Sequence, residues 1–249
     1  MIKSLSIGAG LAAVIAAGAL AADLPQAKLH GYLAAYDFDG EAVIGPPPAM
    51  DSIRGQADRA TYLETRKQAG SPRWAQATKD DDLWNGGAVE RYSCALGERL
   101  GPKTTPITYR ILQRVELDVR TVGTPPKEHY NRTRPLVGDN LPVCVPREDW
   151  MKTNASYPSG HAMTGWAWGL ILGELEPGKL GQLMQAGRTI GESRVICGVH
   201  YHSDVEAGRE LGAALVARLH ADPAFLQDLA AAKAELRRVH APAPLHCAA

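Results

Sequence analysis

Apolar positions recur with a helical period along most of the chain, and few stretches keep the two-residue alternation of a half-buried strand. The clearest run is Thr104 to Thr121, where Ile107, Ile111, Leu112, Val115 and Val119 form one apolar face behind Pro106. Gly123-Thr124-Pro125-Pro126 is expected to end that helix. Helices are also expected from Ser52 to Gln68, stopping before Gly70-Ser71-Pro72, and from Asp80 to Leu100. Three more should run from Gly178 to Ser193, from Ser203 to His220 with Val205, Leu211, Leu215 and Leu219 inward, and from Pro223 with Asp222 as cap. Asp80-Asp81-Asp82 reads as a solvated helix start, because acids favour that end. The segment AMTGWAWGLILGEL after His161 is apolar on nearly every side and predicts a central helix buried all round. Gly165, Gly169 and Gly173 recur every four residues and open a stripe to a close neighbour, while Trp166 and Trp168 are assigned to packing. Pro46-Pro47-Pro48 should be extended, and Leu136 to Ser156 an irregular loop of the kind that borders sites. No internal repeat is visible. The fold class is therefore all-α, a single-domain bundle of about eight helices around two central ones, those of Gly160 and Asp204.

The chain has 249 residues with 27 basic and 27 acidic side chains, which fits one domain and gives no reason to expect a nucleic acid partner. Residues 1–21 have a lysine, an apolar run and a small-residue end, the form of a secretory signal. An uncleaved anchor is the alternative, since the run approaches the length that spans a bilayer. Residues 22–240 then make the domain and 241–249 a loose Ala/Pro-rich tail. No later stretch is long and apolar enough to span, so no membrane association is expected after cleavage. Oligomeric state stays open, a homo-oligomer included. Four cysteines allow three full pairings; Cys94 with Cys144 is the expected bridge, because both flank predicted loops or helix ends, and Cys197 is expected as a small buried side chain.

Candidate chemistry lies in three clusters. Ser193 to Asp204 reads SRVICGVHYHSD. If its end is helical, His200 and Asp204 lie one turn apart, and the carboxylate fixes the imidazole tautomer while Arg194 binds an anion. His202 is the rival, with Glu206 as its partner but no matching arginine before it. Lys127 to Pro135 reads KEHYNRTRP, where a helix would put Lys127 and Arg134 on one face. Tyr157 to His161 reads YPSGH, a helix start whose Ser159 hydroxyl and Gly160 N–H would make a phosphate site. All three favour an anion. A zinc site built from His200, His202 and Asp204 uses ordinary ligand types and is a competing reading.

The ordered pattern K-x(6)-R-P, P-S-G-H and S-R-x(5)-H-x(3)-D resembles the signature of the type-2 phosphatidic acid phosphatase superfamily, which also includes the vanadium haloperoxidases. Lys127, Arg134, Pro135, Pro158, Ser159, Gly160, His161, Ser193, Arg194, His200 and Asp204 fill every fixed position. The closer resemblance, from Gly45 to Leu236, is to the class A bacterial non-specific acid phosphatases, through PPP-x-x-DS, SYPSGH, SRVICG, SDVEAG and ADPAF. That resemblance implies an all-α secreted, periplasmic enzyme acting on small phosphomonoesters, with no metal or cofactor. It implies His200 as nucleophile oriented by Asp204, a phosphohistidine intermediate and His161 as general acid and base. Lys127, Arg134, Ser159, Gly160 and Arg194 would hold the phosphate, and the polyproline segment would fold back beside the site. Orthovanadate would then inhibit. Leu136, Tyr201 and His202 depart from the usual phenylalanine, tryptophan and glutamine, which bears on substrate preference. A vanadate-dependent haloperoxidase, phosphotransferase or pyrophosphatase activity at the same site, and a phosphate-binding protein without turnover are the alternatives.

Overall fold

The structure, a computed structural model, describes residues 29–34, 38–240, 242–243 and 247. The expected signal segment lies outside them. Ten α-helices follow in order: α1 Gly40–Ile44, α2 Ile53–Arg66, α3 Pro72–Lys79, α4 Ala88–Leu96, α5 Pro106–Tyr130, α6 Trp150–Thr153, α7 Gly160–Leu175, α8 Leu180–Ile196, α9 His202–Leu219 and α10 Pro223–Leu236. Among the described residues there is no strand beyond an isolated bridge between Glu98 and Pro242, so the all-α class holds. No helix among them is long and apolar enough to cross a membrane.

The centre is α7, packed along its length against both α8 and α9. It has almost no polar face, so burial all round is the arrangement its sequence allows. The close approach is made by missing side chains. A Cβ on Gly187 would sit 2.6 Å from the Gly165 carbonyl oxygen, and one on Gly212 would sit 2.7 Å from that of Met163. Trp168 is fully buried and donates its indole N–H to the Leu112 carbonyl at 3.0 Å, joining α7 to α5. The far end of α5 is capped from outside. Glu235 on α10 accepts the N–H groups of Ile107 and Thr108 at 2.9 and 2.8 Å, two donors that a helix start leaves unpaired. Asp118 on α5 accepts the N–H groups of Tyr32 and Leu33, tying down the segment before α1.

Three helix expectations are corrected. Pro125 and Pro126 do not end α5, which runs on to Tyr130 and closes at Asn131 in the left-handed conformation, φ 42°. Proline in a helix interior costs about 3 kcal/mol, and here burial of Val122, Gly123 and Pro126 outweighs it. Lys127 therefore rides on α5, and Arg134 lies beyond the helix end rather than on a shared face. The break expected before Gly70-Ser71-Pro72 is present, α2 ending at Arg66, but the same residues also start the unforeseen α3, with the Ser71 hydroxyl accepting the Trp74 N–H at 3.1 Å. The helix expected from Asp80 begins only at Ala88, because Gly86 sits at φ 80°. Asp80 is fully buried at the end of α3, where it accepts hydrogen bonds from Arg91 and Ser193, so the acidic run is no solvated helix start.

The cysteine pairing also differs: the bridges are Cys94–Cys247 and Cys144–Cys197. Cys197 ends α8 where its carbonyl accepts the Cys144 N–H at 3.2 Å, so these two are backbone neighbours and Cys144 cannot serve Cys94. The tail expected to be loose is fastened at the described residues Pro242 and Cys247.

Glycine in a helix normally costs about 1 kcal/mol relative to alanine, and here crowding decides the sign. Gly187→Ala should lower stability by about 1–3 kcal/mol, because its methyl meets the Gly165 carbonyl and the Tyr92 hydroxyl. Gly181→Ala, on the same helix with nothing within 4 Å of its Cβ, should leave stability unchanged or raise it by a few tenths. Urea denaturation midpoints would check the pair.

Candidate active site

The turn between α8 and α9 carries His200, which is 3% exposed. Arg66 prepares that turn by donating to the carbonyls of Pro142, Val195 and Ile196, and Gly198 beside it adopts φ 78°. His200 precedes the helix, and Asp204 reaches back to it from the first turn of α9. The nearer Asp204 oxygen, Oδ2, lies 3.5 Å from His200 Nδ1 and accepts the Tyr201 N–H at 2.7 Å. Ser156 bridges the two, its Oγ 2.5 Å from Oδ2 and 3.4 Å from Nδ1. On the other ring edge, Nε2 lies 3.2 Å from Nη1 of Arg134. A guanidinium offers only donors, so Nε2 must present its lone pair, and the ring proton belongs on Nδ1 facing the carboxylate.

The other motif residues converge on the same place. Arg134, 5% exposed, is locked by the carbonyls of Val199 and Asn154 and by the Asn154 side chain, each at 2.9 Å. Arg194 is buried and paired with Asp81 through Nη1, while its Nε is buried without a partner among the described residues. Lys127 donates to the Ala155 carbonyl at 2.7 Å. Ser159 caps α7, and its backbone N–H donates to the Asp204 carbonyl at 2.9 Å, fastening the PSGH turn to α9. His161 places Nε2 2.8 Å from the Asp81 carbonyl oxygen. An oxygen there only accepts, so Nε2 is the protonated nitrogen and Nδ1 is left for other work. Tyr157 donates to the carbonyls of Ile44 and Gly45, so the polyproline segment does pass beside the PSGH turn. His202 turns outward to Glu206 at 3.6 Å and takes no part.

The charges act on one another. Burial, then the fields of Arg134 and Lys127, hold the His200 pKa well below that of an ordinary imidazole. Burial and then Arg194 push His161 down to about 3, with Asp81 opposing. Burial and then Arg134 push Lys127 down to about 7. Arg134 falls to about 10 for the same kind of reason, burial first and Arg194 second. A cavity of about 370 Å³ opens from Lys127, Gly160 and His161 between walls that include Leu83, Val119 and Met163.

Sequence reasoning missed the groups that hold these residues: Asp81, Ser156, Asn154 and, behind Asp204, Arg132 and Asp58. Ser156 had a signal in its place directly before YPSGH, and Arg132 in its place inside the Lys127–Arg134 span. Asp81 was visible only as one of three acids.

Comparison with known proteins gives the arrangement its relatives. Residues 119–227 match the PAP2 superfamily. The acid phosphatase of Zymomonas mobilis subsp. mobilis is 34% identical over 220 residues, covering 85% of this chain and 83% of that protein. The non-specific acid phosphatase of Salmonella typhimurium is 39% identical over 199 residues, 78% of each chain. That of Providencia stuartii is 36% identical over 204 residues, 81% of this chain and 82% of its own. With its signature residues gathered at one buried point and likeness of this extent, the chain belongs to the class A non-specific acid phosphatases of the PAP2 superfamily, phosphoric monoester hydrolases.

Proposed function

We propose that the chain is an exported, periplasmic phosphatase of broad specificity that hydrolyses small phosphomonoesters through a phosphohistidine on His200, without a metal. The observation that carries this reading is a buried, neutral imidazole whose lone pair faces a guanidinium 3.2 Å away. That contact keeps the imidazole neutral with its lone pair on the side of the cations, so a phosphoryl group held by those cations would present its phosphorus to Nε2. Lys127, Arg134 and Arg194 grip the phosphoryl oxygens, the unpaired Nε of Arg194 gains its missing acceptor, and Gly160 N–H and the Ser159 hydroxyl add neutral donors. These fixed charges take the part that a metal ion plays in other phosphoryl-transfer sites.

In the first step Nε2 of His200 bonds to phosphorus as the bond from phosphorus to the alcohol oxygen breaks, and that oxygen takes a proton from Nδ1 of His161, which gains it when the bound dianion offsets the cations that hold its pKa down. In the second, His161 takes a proton from water, the water oxygen bonds to phosphorus and the P–Nε2 bond breaks. The cavity beside His161, about 370 Å³, has room for the alcohol portion of a small ester and a mixed apolar and polar lining that suits broad specificity. An alcohol entering in place of water would receive the phosphoryl group by the same second step.

Rapid-quench trapping with labelled substrate tests the assignment. His200→Ala should form no phosphoenzyme. His161→Ala should still form it from p-nitrophenyl phosphate, whose leaving group needs no proton, while turnover of alkyl esters falls by about 10²–10⁴. Labelled phosphoenzyme in His200→Ala would refute the role given to that residue.

The acid preference has a definite sign. Lys127, with its pKa pushed down to about 7, is charged below that pH and neutral above it, so the cradle loses a cation as pH rises. Inorganic phosphate should therefore inhibit progressively less above pH 7, beyond the change due to its own ionisation. Lys127→Met should remove that extra dependence and weaken inhibition at acid pH. Inhibition constants measured from pH 5 to 9 would check it.

A further inference from the structure

Behind the reacting pair, on the side away from the cations, lies a second charged group that the signature does not contain. Arg132 is 7% exposed and donates through Nη1 to the outer Asp204 oxygen, Oδ1, at 2.6 Å and to Ser203 Oγ at 2.7 Å. Its Nη2 donates to Asp58 Oδ2 at 2.9 Å, and Asp58 is 4% exposed. Asp58 also accepts the Ser203 N–H through Oδ1 at 3.0 Å and the Ser203 hydroxyl through Oδ2. The guanidinium lies over the Tyr201 ring at 4.3 Å. His200, Asp204, Arg132 and Asp58 thus form one buried line of alternating groups drawn from the turn before α9, α9 itself, the loop after α5, and α2. Asp204 is shared: Oδ2 serves the imidazole and Oδ1 serves Arg132.

We propose that Arg132 and Asp58 are positioning residues that set how strongly Asp204 pulls on the Nδ1 proton of His200, and so divide the reaction between making and breaking the phosphohistidine. The inference rests on the phosphohistidine reading above. When Nε2 bonds to phosphorus the ring becomes cationic, and when that bond breaks the ring becomes neutral again. A strong Asp204 therefore speeds the first step and slows the second. Arg132 draws part of the carboxylate's charge away from the ring and keeps the intermediate short-lived, while Asp58 limits how much Arg132 can draw. A site built for rapid turnover needs both steps comparably fast, which two opposed charges can arrange and a lone Asp–His pair cannot.

The two residues should act in opposite senses. In Arg132→Gln the phosphoenzyme should form no more slowly but break down about tenfold more slowly, so that its steady-state occupancy rises; Arg132→Lys should restore most of the breakdown rate. In Asp58→Asn, Arg132 is left less compensated, so phosphorylation should slow while breakdown stays as fast or quickens, and occupancy should fall. Rapid-quench measurement of both half-reactions with p-nitrophenyl phosphate gives the two rates separately, and Asp58→Asn alone decides the matter if Arg132→Gln does not fold. A purely structural role would slow both steps together in each variant, and that result overturns the inference. If wild-type enzyme itself yields no phosphoenzyme, the phosphohistidine reading fails and takes the inference with it. Wild-type phosphoenzyme with an unchanged ratio of rates in the variants overturns the inference alone.

Discussion

Like charges gathered away from water repel, and containing that repulsion at one point is the condition on which the rest of this structure depends. Two unit charges 4 Å apart interact by about 4 kcal/mol at an effective dielectric of 20, so a cradle of Lys127, Arg134 and Arg194 could not persist unsupported. Each is held by something fixed: Lys127 by the Ala155 carbonyl, Arg134 by Val199 and Asn154, Arg194 by Asp81. Burial, and after it the same field, lower the pKa values of both His200 and His161 while no anion is bound. A site so charged is stable when a dianion arrives and strained toward accepting one when it has not. On the proposed function, phosphate affinity, a neutral nucleophile and activity in acid all follow from that one electrostatic arrangement.

Precision in that arrangement comes from helices that approach unusually closely. Gly165, Gly187 and Gly212 allow α7 to lie against α8 and α9 at backbone distance, so the PSGH turn, the end bearing Arg194 and the start bearing Asp204 meet. The Ser159 N–H to Asp204 carbonyl bond then fixes one turn against the other. Side chains that must touch a small tetrahedral ion need placement to about half an ångström, which packed backbones supply better than loops.

Much of this was legible in the residues. The all-apolar stretch after His161 announced a buried helix, its glycine stripe announced a close neighbour, and Asp222-Pro223 announced a helix start; all three appear in the structure. The signature residues of the site were also legible, because their types and order are specific even though sequence distance says nothing of their convergence. What was not legible has a physical reason in each case. Pro125-Pro126 carries a local breaking signal that burial overrides, and no local pattern reports burial. Ser71-Pro72 suits a stop as well as a start. The partners Asp81, Arg132 and Asp58 belong to segments whose own sequence looks solvated, and their meaning arises only from what faces them. The cysteines were misjudged for the same reason, since Cys144 and Cys197 are brought together by a backbone bond between a loop and a helix end.

The two bridges differ in what they enclose. Cys144 and Cys197 are 53 residues apart in the chain, whereas Cys94 and Cys247 are separated by 153 and bracket the motif residues from Lys127 to Asp204. In the chain-entropy account a bridge restricts the unfolded chain more as the loop it closes lengthens, so the link between Cys94 and Cys247 should constrain it more than the shorter one. Oxidation then limits how far a transiently opened molecule can unravel, and that outer clasp sets the limit over the greater part of the chain.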